Sequence, residues 1–105
     1  MNSLPAVIFR RWGHSFEEDA AGITVFRPAE YDFPRARGRD GIELRPDGTF
    51  IEWAIGQGDA NRPIPGRWTS AGAGAFDVTF EGGARPPRSF EVVDCDPSRL
   101  RLRAR

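Results

Sequence analysis

Apolar and polar side chains alternate with a period of two through much of the chain, and this pattern predicts strands with one buried face. It is cleanest at residues 76 to 81, Phe-Asp-Val-Thr-Phe-Glu, where Phe76, Val78 and Phe80 share a side. Phe90 and Val92 do the same in a strand expected near 88 to 93. Leu100 and Leu102 alternate with Arg99, Arg101 and Arg103, which gives the last strand a basic outer face. Ile42 and Leu44 alternate with Glu43 and Arg45, and Pro46-Asp47-Gly48 then precedes the run from Thr49 to Ile55. Asp-Gly between two such runs is a strong hairpin cue, because glycine accepts the positive φ of a tight turn. Gly82-Gly83 marks a second hairpin.

The N-terminal third is less regular. Residues 6 to 12 suit a strand, and Ser15-Phe16-Glu17-Glu18 matches a capping box, so one or two helical turns are expected from Phe16 to Ala21, ended by Gly22. Ile23 to Arg27 resumes extended structure up to Pro28. Residues 28 to 41, broken by Pro34, Gly38 and Gly41, and residues 57 to 65, with Pro63 and Pro65, read as loops, and 70 to 75 as a loose turn. Seven or eight strands with one short N-terminal helical turn predict an all-β fold, a single antiparallel domain over residues 1–105. A closed up-and-down barrel is preferred to an open sandwich because closure leaves no long unpaired edge.

The run Ile42-Glu43-Leu44-Arg45-Pro46-Asp47-Gly48-Thr49-Phe50, then Gly66-Arg67-Trp68-Thr69, the Phe76 to Phe80 strand and Leu100-Arg101-Leu102 together resemble the small bacterial lipocalin-like domains of the calycin group. The resemblance covers about residues 42–103. It implies a barrel that receives a small molecule at one mouth.

With 105 residues the chain has room for one core, and eight Phe with three Trp give it the material for one. Fifteen basic and fifteen acidic residues cancel, so no global field favours nucleic acid or an anionic membrane, and neither is an expected partner. All the basic residues are arginine. A single cysteine, Cys95, allows no internal disulfide, and no long apolar run suggests export or a membrane span, so a cytoplasmic setting is expected. Between Asp94 and Asp96 this thiol is expected to be inert.

The densest polar group is His14-Ser15-Phe16-Glu17-Glu18-Asp19, followed by Arg27, Tyr31, Arg35, Arg37, Arg39 and Asp40. The favoured reading pairs the early acids with the later arginines in a clamp over one barrel mouth. The competing reading makes His14, with Glu17 and Glu18, a proton shuttle, and Arg27 or Arg37 an anion stabiliser. Ligand-binding candidates are Arg27, Tyr31, Arg35, Arg37, Arg39, Trp53 and Trp68. Asp59 and Arg62 are further charges on the loops beside that mouth. No metal and no cofactor are expected, since the histidine lacks a second ligand cluster and no phosphate-binding loop is present. The expected function is therefore non-catalytic, a small-ligand-binding or accessory domain. Its expected partner is a small organic molecule, an anion by preference, or a protein segment. A cofactor-free isomerase or cyclase is the alternative, and a homodimer through an exposed sheet the third class.

Overall fold

The computed structural model describes residues 4–36, 38–56 and 60–105. Within them eight antiparallel strands close into one barrel: β1 (Arg11–His14), β2 (Ile23–Pro28), β3 (Gly41–Leu44), β4 (Thr49–Ile55), β5 (Asn61–Ser70), β6 (Ala75–Phe80), β7 (Arg88–Asp96) and β8 (Arg99–Ala104). The only helical pieces among the described residues are single 3-10 turns at Ala6–Ile8, Phe16–Glu18 and Glu81–Gly83.

The alternation read from the sequence sets the inside. Phe76, Val78, Leu100 and Leu102 have no exposure, and Trp12, Phe50 and Leu44 have at most 2%. Each such side chain adds roughly 1.5–3 kcal/mol by leaving water. The barrel axis is therefore filled by side chains. One end is closed by an apolar floor: Ile8 and Leu4 are buried, Phe9 stacks on Trp68, and Trp12 and Trp68 donate their indole N–H groups to the carbonyls of Ile8 and Arg45.

From β3 to β8 each strand neighbours the next in sequence. At the start the order changes, since β1 lies between β2 and β3 while β2 pairs with β8. Strands β2 and β3 therefore run in the same direction, and residues 29–36 and 38–40 belong to a connection that crosses the outer face of β1 to join them. This crossing segment is here called the strap. Its Phe33 ring lies directly on Gly13, where a Cβ would come within 2.7 Å of the ring and would have to push it aside.

Several local expectations give way to tertiary context. Residues 6–8 form a 3-10 turn and β1 begins only at Arg11. The Ser15 hydroxyl donates to the Glu18 carboxylate at 2.7 Å instead of capping a backbone amide, and the helix shrinks to one 3-10 turn. Ala21 and Gly22, both at positive φ, then form a tight turn closed by paired Ala20 and Ile23 hydrogen bonds. The sequence from Asn61 to Pro65, expected as loop, is the first half of β5. Trp68 N–H points to β4 by bonding Gly48 O, so the nitrogens of Pro63 and Pro65 face the opposite side, where β6 has already ended opposite Gly66. Proline removes no ladder bond on a free edge. In β7 a bulge between Val92 and Asp94 extends the strand to Asp96 and turns Cys95 toward the core.

Candidate functional site

At the rim opposite the floor, β1 ends with the His14 ring turned inward beside Phe26. Its Nδ1 lies 2.9 Å from Asp40 Oδ1 and its Nε2 2.7 Å from Asp19 Oδ2. These carboxylates, led by the Asp40 hydrogen bond, raise the imidazole pKa above its ordinary value against the opposing effect of burial, and Asp40 is lowered in return. Both ring nitrogens are occupied. Neither glutamate expected beside His14 bonds the ring: Glu17 stays near enough to feel its charge, but a single 3-10 turn directs the carboxylates of Glu17 and Glu18 to the arginines.

The Glu17 carboxylate accepts two bonds from Arg39, each 2.8 Å, and Glu18 accepts two from Arg27, also 2.8 Å. These guanidinium contacts hold both carboxyls at about 2. Arg39 further donates to the carbonyls of His14 and Pro34, and Arg27 to that of Ser98. Arg39 thus makes four hydrogen bonds and Arg27 three to internal acceptors, as a clamp requires. Arg39 is also sandwiched between the Phe16 and Phe33 rings, and Arg27 lies over Tyr31, whose edge meets Phe33. Together with the Arg10 and Glu30 ion pair, these contacts pin the strap at both ends.

Beside the strap runs an open groove of about 450 Å³, bordered by Phe33, Arg39 and Asp40 on one side and Trp53 and Arg11 on the other. Registered positions explain it. Gly13 on β1, Gly41 on β3 and Trp53 on β4 form one outward-facing row. Strands lie about 4.8 Å apart, so Gly13 and Trp53 are separated by about 10 Å with only Gly41 between them. A Cβ on Gly41 would fall 2.3 Å from the Trp12 carbonyl, so the groove floor is necessarily bare backbone. Trp53 is anchored by its indole N–H to Glu43, and the Arg11 guanidinium lies 3.9 Å from its ring. Among the described residues no hydrogen-bond acceptor engages that guanidinium, so its N–H edges are available to the groove. Asn61 ties the far end by donating to the carbonyls of Arg39, Trp53 and Ala54.

Of the residues singled out from the sequence, Arg39 and Trp53 border this groove. His14 touches it through Asp40, and Glu17, Glu18, Arg27 and Tyr31 build the clamp behind it. Arg35 is exposed on the strap. Trp68 is buried in the floor at the other end of the barrel, and Arg37 and Asp59 lie outside the described residues. Arg11, Asp19, Asp40 and Asn61 were not among the candidates. Asp19 and Asp40 did stand in the polar segment read above, but the pairing of two aspartates with one histidine depends on the strap's return to β3. Arg11 carried no signal, because its relation to Trp53 arises only from β1 lying next to β3.

Cys95 is held up at about 11 by burial and by Asp96 and Asp94, which keeps it a thiol. The basic face of β8 is matched by acids, Arg101 with Asp94 and Arg103 with Glu91. Among the described residues no group of three histidine, cysteine, aspartate or glutamate side chains is placed to hold a metal ion, and no helix is long and apolar enough to cross a membrane. No protein-family model matches the chain, and no curated protein or solved structure matches it either. The class defined by the structure is a closed, eight-stranded antiparallel β-barrel with a strapped outer groove.

Proposed function

We propose that this is a non-catalytic, lipocalin-like binding domain that takes a small planar organic anion in the groove beside the strap instead of inside the barrel. The observation that carries this reading is the contrast between a filled axis and an open, backbone-floored groove beside an arginine that has no hydrogen-bond acceptor among the described residues. A small flat anion lying over the bare backbone of Gly41 has the Phe33 ring on one side and Arg11 with Trp53 on the other, both of which favour contact with an aromatic face. An anionic substituent then meets the Arg11 N–H edges, which suit a carboxylate. Supporting a binding role over proton transfer, His14 has neither ring nitrogen free to meet a substrate.

The test is a titration with 2-naphthoate followed by tryptophan fluorescence. Trp53 is the partly exposed indole, while Trp12 and Trp68 are buried. Saturable quenching that is lost in Arg11→Ala and in Trp53→Leu is expected. Quenching that survives both substitutions would remove the groove as the site.

A further inference from the structure

His14 is the chain's single histidine, and its contacts constrain its charge by counting protons. A carboxylate can only accept. The Asp40 contact at Nδ1 and the Asp19 contact at Nε2 are both hydrogen bonds only if both ring nitrogens carry protons, that is, if the ring is an imidazolium. A neutral ring offers one N–H and one lone pair, so one of the two carboxylates then faces a lone pair and is repelled.

The two aspartates are not equally free to leave. Asp19 Oδ1 also accepts the Val25 backbone N–H at 2.8 Å, which holds it when the ring contact fails. For the Asp40 carboxylate, His14 is the one side-chain hydrogen-bond partner among the described residues, and besides it only Asp40's own backbone N–H and the charge of Arg39 act on that carboxylate. Asp40 sits where the strap enters β3 and borders the groove. The other groups facing the ring keep this contrast. From the 3-10 turn come Phe16 and Glu17, the latter neutralised by Arg39, which also donates to the His14 carbonyl; from β2 comes the Phe26 ring.

We infer that His14 couples anion binding in the groove to its own protonation: as imidazolium it neutralises Asp40 and holds that carboxylate at the rim, and as a neutral ring it releases it toward the groove, where it repels the ligand. The inference rests on the binding reading above and adds its regulation. An anionic ligand in turn favours the protonated ring, so the two events reinforce one another.

Two measurements on the intact chain test it separately. In the first, NMR of isotopically labelled protein follows the His14 ring and the backbone amides without ligand. The ring is expected to carry both N–H protons at low pH and to titrate with a midpoint above 6.5, with Arg39, Asp40 and Gly41 amides moving at the same midpoint. A midpoint at or below 6.5, or strap amides that ignore the transition, overturns the bridge.

In the second, 2-naphthoate affinity is measured on both sides of that midpoint. Binding about fivefold weaker above it is expected, the size of effect that one extra negative charge exerts across a partly solvated groove. Asp40→Asn, which keeps the side chain's size, should abolish the pH dependence; His14→Gln should do so as well. Equal affinity on both sides of the midpoint overturns the coupling alone. Absence of binding at every pH overturns the groove reading and the coupling with it, while the ligand-free titration still decides whether the bridge exists.

Discussion

At the floor of the barrel Trp68 is fixed by area: it is buried against Phe9 and spends its one polar group on the Arg45 carbonyl. At the strap Arg39 is fixed by charge, with two bonds to Glu17, two to backbone carbonyls and a phenyl ring on each side. Both regions close the molecule. The floor does so without regard to pH or salt, whereas the strap holds only while its acids are ionised. The contrast explains why a binding groove lies beside the strap: charged pairs leave polar surface and open space, and a packed apolar floor leaves neither.

The largest expected effect breaks the floor. Trp68→Ala should cost about 3–5 kcal/mol in chemical denaturation, the usual range for removing a buried large aromatic side chain. Arg39→Ala should cost less, about 1–2 kcal/mol, since it strands two carbonyls at a partly solvated surface. Its loss should be smaller in high salt, whereas that of Trp68→Ala should not be. A larger penalty for Arg39→Ala than for Trp68→Ala would reverse the assignment of forces.

Acidity sharpens the same contrast. Glu17 and Glu18 lie at about 2 in the folded chain against an ordinary 4.5, so their stabilisation is full above about 4.5 and is lost as pH falls toward 2. His14 has the opposite sign. Its folded value is raised above 6.5, so its contribution is full below 6.5 and disappears as pH rises through that folded value. Thermal melts should therefore show greatest stability between about pH 4.5 and 6.5. Arg39→Ala with Arg27→Ala should flatten the acid side and His14→Gln the alkaline side. The smallest effect concerns the turn before β2, where Ala21 occupies φ 54. Ala21→Gly should stabilise by up to about 1 kcal/mol, the strain of a left-handed alanine less the added freedom of the unfolded glycine.

How much of this was legible in the sequence follows the same division. The cores of β4, β6 and β8 and the Asp47-Gly48 turn were readable because alternation and turn chemistry are local, and Gly48 does adopt a positive φ of 94°. The start of β5 was hidden by Pro63 and Pro65, whose meaning depends on which strand edge they face. The pairing of acids with arginines was foreseen as a class, yet the partners were not, because a 3-10 turn and an α-helical turn aim Glu17 and Glu18 differently. The groove was invisible. It depends on β1 slipping between β2 and β3, which no periodicity within either strand encodes.

Chemical-shift mapping with 2-naphthoate locates the bound anion residue by residue. Shifts concentrated at Gly13, Gly41, Asp40 and the Trp53 indole, with Leu100, Leu102 and Val78 methyl groups unmoved, are the predicted result. Shifts concentrated on those interior methyl groups would place the ligand on the barrel axis and rule out the groove.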